Sequence, residues 1–390
     1  MSSALHCPVL LLSSASAARD EFTFVVAEDR RFSDGSRVLV DDVLRTLVRS
    51  ASSPLWARCI RYLERAEVAG DRLRLTMRQP AAFFPDMLQA MDFAPTHPDG
   101  VLGNGPYRLM NEFNADERCH RLTPNPFFPG ASSRPDVVFI VQGDVDGTPD
   151  RFLRGEVDIT CNTAFPLGRL ADWQDHPALR TASTGIYMQL EPNPTGGALA
   201  DPRMRQTLRD CLDLAEIAAR FDGGFRPTTY RRPRDRKSQS RNRFRQRVRI
   251  AYHDFPPNRE VLEEVRGQWR VRLGVDTELV ERDYADRSRA GVDASFVLGY
   301  AAFTHPYSEF DQYAGPLRDP EFDRLLQAFA AEAPGSRHAL EHHIDTAVPV
   351  IRLFEVIGHW LASPRVEGFD WPTDSMFDFT GLRLVDRGQS

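Results

Sequence analysis

Between Asp71 and Asp99 the sequence holds side chains suited to gripping a carboxylate and moving a proton. Arg72 and Arg74 offer planar forks of donors that match a carboxylate, and Asp92, His97 or Asp99 could serve as the acid/base. Asp92 sits between Met91 and Phe93, where partial burial would tune it for proton transfer. The same residues also fit a plainer pattern, with both arginines on a solvent-facing strand and His97 shaping a loop before Pro98. His338 and His342 fall on one helical face next to His343, yet no carboxylate completes H-E-x-x-H, and Arg337 and Glu341 mark that face as polar surface. The sequence has no phosphate-binding G-x-x-x-x-G-K-[ST]. Gly103-Asn104-Gly105 lacks the last glycine and the helix of a dinucleotide fingerprint, and G-x-S-x-G is absent. No metal and no cofactor are expected.

The elements that must position these groups read as mixed α/β. Phe22, Phe24 and Val26 alternate as in a half-buried strand, and Leu73, Leu75 and Met77 do the same. Asp41 is placed to cap a helix carrying Val43, Leu44, Leu47 and Val48. Residues 9–12 suit a short buried strand. Residues 80–91 put Phe83, Phe84, Met87, Leu88 and Met91 at helical spacing, which reads as core packing. A second unit is expected from about Arg151, where a helix closes at Gly155. In it, residues 203–221 and 262–273 form helices, and 248–252 and 275–280 form strands. The domain boundaries expected are therefore 1–150, 151–370 and a C-terminal segment, 371–390, returning toward the first lobe. Residues 226–249 carry a basic run, of which 231–245 has almost nothing to bury and reads as a solvated loop.

Composition sets limits on partners. The chain has 390 residues, 49 Lys and Arg against 55 Asp and Glu, and a net charge of −6, so no global field favours nucleic acid or an anionic membrane. No apolar run approaches the ~18 residues of a membrane span. Cys7, Cys59, Cys119, Cys161 and Cys211 form no C-x-x-C pair and are expected to be reduced and buried. No basic n-region precedes the apolar patch at 9–12, which is shorter than the ~7 residues of a signal-peptide h-region, so the expected location is cytoplasmic.

Several segments in a fixed order resemble the extracellular solute-binding proteins of oligopeptide and nickel importers. Arg31-Phe32-Ser33-Asp34-Gly35 with Asp41-Asp42-Val43 is similar to that family's "F-x-D-G … A-x-D-V", and Gly103-Asn104-Gly105-Pro106-Tyr107-Arg108-Leu109 to its "G-T-G-P-Y-x-L". Gly155-Glu156-Val157-Asp158 resembles "G-E-x-D", and Asp201-Pro202-Arg203-Met204-Arg205-Gln206 resembles "D-x-R-V-R-Q-A". The helix ending at Gly274-Val275 completes the series. The resemblance implies a two-lobed, periplasmic-binding-protein-like α/β fold (type II, family 5) with mixed sheets. The short stretch before the first motif implies a reduced N-terminal lobe, whose uncovered surface a homodimer would cover.

The resemblance also implies a ligand cleft. The family's cleft segment "G-W-x-x-D-Y-P-D-P" corresponds to residues 299–309, with Tyr300 and Phe303 as aromatic walls and the acid either replaced by His305 or moved to Glu309. Residues 186–190 look like its cleft strand, with Tyr187 and Gln189 sharing a face. Two functions compete. One is a receptor that closes over a peptide or amino acid. The other is a cofactor-independent cyclase, because bacterial Pictet-Spengler cyclases of β-carboline alkaloid pathways are similar to this chain in size and plan. Such an enzyme would condense tryptophan with an aldehyde, using Arg72 or Arg74 for the carboxylate and Asp92 or His97 for the proton.

Overall fold

Alternating apolar residues build the first sheet. In the computed structural model, which describes residues 10–100, 102–110, 118–161, 165–194, 196–229, 247–286, 288–314, 318–369 and 379–385, strands β1 (Leu10–Ala15), β2 (Glu21–Val26), β3 (Leu63–Ala69) and β4 (Arg72–Met77) pair antiparallel in the order β1-β2-β4-β3. Phe22 and Phe24 stand opposite Leu75 and Leu73, and all four are buried against α1 (Val40–Ser50), α2 (Ala57–Ile60) and α3 (Phe84–Met87). Three local expectations change. β1 is an edge strand whose Leu11 and Leu12 are exposed rather than buried. At the start of α1 it is Asp42, not the exposed Asp41, that reaches back, accepting from the Leu39 N–H at 2.8 Å. The helix expected over 80–91 shrinks to α3, because Pro85 is tolerated only in a first turn and so fixes the helix start beside it. The aromatic stripe on that segment is core, as Phe83, Phe84 and Met87 are fully buried.

A small antiparallel sheet follows, formed by β5 (Tyr107–Leu109), β6 (Cys119–Pro124) and β7 (Val137–Ile140). Next comes α4 (Thr148–Leu153), which closes at Gly155 with φ +71°.

The largest sheet is mixed. β8 (Leu179–Pro192), β9 (Phe225–Pro227), β10 (Arg247–His253), β11 (Asp276–Arg282), β12 (Ala294–Tyr300) and β13 (Ile351–Leu361) lie in the order β11-β10-β12-β8-β13-β9. β10 runs parallel to β11 and β12, and the other pairs are antiparallel. α5 (Pro202–Asp210), α6 (Leu214–Ala218) and α7 (Asn258–Leu273) cover one face, with Trp269 fully buried and its Nε1–H donating to Leu208 O at 2.9 Å. The single helix expected over 203–221 is broken. Asp213 accepts from Glu216 N and so caps a new helix there.

The cores divide the chain differently from the expected boundaries. α8 (Pro306–Asp311), α9 (Pro320–Ala330) and α10 (Ser336–Ala347) pack with the N-terminal sheet, while residues 348–354 rejoin the large sheet. Arg205, from the "D-P-R-M-R-Q" segment, joins the two bodies. Its buried guanidinium donates to Val348 O and Ala347 O at the end of α10, and to Leu199 O and Ala200 O. A cation there satisfies carbonyls that the helix end leaves open. The C-terminal segment lies against the small sheet, where Arg134 donates to Thr380 O and Phe379 meets Phe139 edge-on.

Cys161 is exposed rather than buried, since it lies just past a bridge at Ile159 and outside any core. Cys7, the basic stretch 231–245 and residues 371–378 lie outside the described residues. Among the described residues no helix is long and apolar enough to cross a membrane.

Candidate functional site

A pocket of about 240 Å³ opens where the large sheet meets α8, at the junction of the two bodies. Its floor is β8. Near Gly185, which has φ +65°, the pairing of β8 with β13 slips between Glu355 and Ile357, and a bulge of this kind re-aims neighbouring side chains. Thr184 satisfies the disturbed backbone by donating to Val356 O at 2.7 Å and accepting from Ile186 N at 3.1 Å. As a result Ser183, Gly185 and Tyr187 all reach the pocket. Ser183 also donates to Glu355, which is held on its other side by Arg226 at 2.8 Å.

The opposite wall is the segment from Ala301 to Pro306, together with Glu309 of α8 and Arg337 of α10. His305 caps α8, its Nδ1 accepting from Tyr307 N at 3.1 Å, which places the ring proton on Nε2. Burial pushes the His305 pKa below the usual imidazole range, against the opposing pull of Asp86 and Glu332, so the ring is neutral near pH 7. Ser308 Oγ accepts from Ala302 N at 2.7 Å and locks the turn. Aromatic packing then fastens the wall to the first core: Tyr307 stacks on Phe83 at 3.8 Å, and Phe303 lies 6.0 Å from Phe83 and 6.1 Å from Trp56.

Charge is concentrated on one side. Glu309 is 44% exposed, and its Oε1 lies 3.4 Å from Nη1 of Arg352, which is itself about 1% exposed. The Arg352 guanidinium sits between two rings, 3.9 Å from the centroid of Tyr187 and 4.1 Å from that of Tyr313. At the mouth, Arg337 is paired with Glu341 at 2.9 Å and stays exposed. The pocket therefore presents a carboxylate, a neutral imidazole, a phenol face and a rim guanidinium. That set can hold an ammonium, an apolar or aromatic group and a carboxylate together.

Of the residues singled out in the sequence, Tyr187, Phe303 and His305 line this pocket. Gln189 is buried in the sheet and does not line the pocket, its Nε2 3.0 Å from where a Cβ on Gly299 would stand. Tyr300 is half exposed at the end of β12, and its pKa is raised by burial and then by Asp92. Arg72 and Arg74 point away from the core on β4, near Asp71 and Glu67 respectively.

Asp92 is exposed rather than partly buried, because it lies in a surface turn beside the exposed Met91. Its carboxylate accepts from Trp56 Nε1 at 2.7 Å, so its tie to the pocket runs through Trp56 and Phe303. His97 stands between Asp99 at 3.1 Å and Asp34 at 3.7 Å, edge-on to Phe32. Arg72, Arg74, Asp92 and His97 thus have separate sets of neighbours and are not brought together at the pocket. His343 pairs with Asp319 at 2.7 Å, while His338 and His342 face solvent. Among the described residues no cluster of three or more His, Cys, Asp or Glu could hold a metal ion.

Residues 8–242, more than half of the chain, match the family described as bacterial extracellular solute-binding proteins, family 5 Middle. No curated protein sequence matches the chain. Solved structures with the same architecture include the murein tripeptide binding protein MppA of Escherichia coli, at 15% identity and a TM-score of 0.78, covering 96% of this chain and 89% of that one. OppA of Haemophilus influenzae in complex with RPPGFSPFR is similar at 15% identity and a TM-score of 0.79, with the same coverage. NikA of Staphylococcus aureus in complex with Ni(L-His)2 follows at 13% identity and a TM-score of 0.76, covering 96% and 90%. Identities this low speak to the fold, which is two-lobed α/β of the type II periplasmic-binding class with mixed sheets.

Proposed function

Since the chain belongs to the bacterial extracellular solute-binding proteins of family 5, we propose that it is a receptor that holds an amino acid or short peptide and releases it unchanged. The observation that carries this reading is the convergence of Glu309, Tyr187, His305 and Arg337 on one pocket between the two bodies. A free amino group would bind at Glu309, an apolar or aromatic group would lie on Tyr187, and the carboxylate would face Arg337. A volume of about 240 Å³ is below the ~300 Å³ at which drug-sized ligand pockets begin, which favours a small ligand or the leading residues of a longer one. Of the similar structures named above, one is of a murein tripeptide binding protein, one is in complex with the peptide RPPGFSPFR and one with Ni(L-His)2, which supports a ligand built from amino acids.

Condensation of tryptophan with an aldehyde is the competing reading, and no contact in the pocket favours it. Arg72, Asp92 and His97, the groups that would carry that chemistry, stand apart from one another and from the pocket wall. One experiment separates the two. Purified protein is titrated calorimetrically with free amino acids, dipeptides and tripeptides, and separately incubated with tryptophan and several aldehydes. All ligands are then recovered and weighed by mass spectrometry. A receptor gives saturable heat and unaltered ligand. A tetrahydro-β-carboline above the uncatalysed background, without saturable binding of any peptide, would overturn the receptor reading.

A further inference from the structure

Arg352 stands in an unusual place for a cation. It lies on β13 opposite Gln189 of β8, in a strand whose neighbours Ile351, Leu353 and Phe354 are fully buried. Its guanidinium lies behind the pocket wall and is not among the groups that line the pocket. Burying a cation costs several kcal/mol unless its surroundings answer the charge. Here the groups that answer it include the faces of Tyr187 and Tyr313 and the carboxylate of Glu309. Of these groups, Tyr187 and Glu309 are pocket-wall residues.

We propose that Arg352 is a specificity-determining positioning residue, which fixes the Glu309 carboxylate and the Tyr187 ring so that the pocket selects ligands with a free amino group. The inference rests on the receptor reading and goes beyond it by naming what sets the selectivity. Tyr187 is held with a cation on its rear face, and Glu309 is drawn toward the sheet at 3.4 Å while remaining 44% exposed. Its remaining lone pairs stay available to a ligand ammonium. Without Arg352, Glu309 is free to turn toward Arg337 at the mouth of the same pocket, and the ammonium site is neutralised by the protein itself. Only a flat cation can stack on two rings and meet a carboxylate edge-on at once, so lysine does not replace it.

The test uses alanyl-phenylalanine and its N-acetyl derivative, measured calorimetrically on the full chain. The wild type is expected to favour the free amine by about 10-fold or more, as for a charge-assisted hydrogen bond. Arg352→Lys is expected to bring that ratio to within about 3-fold while the circular dichroism spectrum is kept, a change that a purely structural role would not produce. Tyr313→Leu removes the rear ring without touching the pocket wall and is expected to lower the ratio in the same way; it decides the matter if Arg352→Lys does not fold. A full wild-type ratio in both variants overturns the role of Arg352 and leaves the receptor reading standing. A wild type that binds neither compound, or binds both equally, overturns the ammonium site and the inference with it.

Discussion

Replacing Asp311 by asparagine tests whether α8, which carries Glu309 and Pro306 into the pocket, is anchored by a carboxyl that the fold has taken out of water. Asp311 Oδ1 lies 3.1 Å from Arg58 Nε, but out of line for a hydrogen bond, and its side chain is only 21% exposed. Burial raises its pKa from 3.8 to about 6, more than Arg58 and Arg61 lower it, and Asp323 adds to the rise. A factor of ten in an acid constant is worth about 1.4 kcal/mol, so ionising Asp311 costs about 3 kcal/mol more in the folded chain than in the unfolded one. Because the folded pKa is the higher one, the stabilising contribution is fully present below about pH 4. It is lost as pH rises through about 6. Between pH 4.5 and 7.5 the loss comes to about 2 kcal/mol.

In Asp311→Asn the amide cannot titrate, and Arg58, 33% exposed, can turn to water. The variant should therefore lack this slope, whatever constant offset the lost ion pair introduces. Urea denaturation of both proteins at pH 4.5, 6 and 7.5 measures the difference directly, since every other titrating group is shared. Parallel stability curves for the two proteins would show that Asp311 is not held out of water, and the anchoring argument for α8 would fail.

Three further outcomes follow from single contacts. Arg205→Met should cost about 3 kcal/mol in urea unfolding, because it leaves several buried carbonyls at the end of α10 without their donor; a loss under about 1 kcal/mol would mean that Arg205 does not join the two bodies. His359 is buried between Thr181 Oγ1 and Gly223 O, and burial lowers its pKa. Its contribution is therefore present above the unfolded value near 6.5 and lost as pH falls through the folded one. His359→Gln should flatten the fall in Tm on the acid side of pH 6.5, and a wild-type slope would contradict the assignment. Glu309→Gln should weaken free-amine peptides by about 10-fold or more and also lower Tm, since the buried Arg352 loses its counter-charge; unchanged affinity would remove the ammonium site.

Much of the fold was legible because local pattern and tertiary burial agreed. Phe22, Phe24, Leu73 and Leu75 alternate and are buried as alternation demands, and the helix that stops at Gly274 does so with φ +71°. The misreadings came where a short-range signal had more than one outcome. Asp213 could sit inside a helix or start a new one, and only its bond to Glu216 N decides. The site was half legible. Tyr187, Phe303 and His305 are reachable through the resemblance of their segments, whereas Arg72, Arg74, Asp92 and His97 stand out by chemical type alone, and type carries no information on which face of a strand or turn points where. Arg352 carries a signal of its own: with Glu355 and His359 it is one of three polar side chains in an otherwise apolar eleven-residue strand. A buried charge needs a partner, and that demand is a signal that the sequence does carry.

In the receptor reading, Glu309 receives the amino group of a ligand in the pocket between the two bodies. Its most direct test is a crystal structure of the protein with the tightest-binding peptide from the calorimetric panel. The ligand ammonium is predicted within hydrogen-bond distance of a Glu309 oxygen, with its first side chain against Tyr187 and the Arg352 guanidinium still stacked behind it. A peptide bound elsewhere, or bound here with its amino group turned to solvent, would contradict the account.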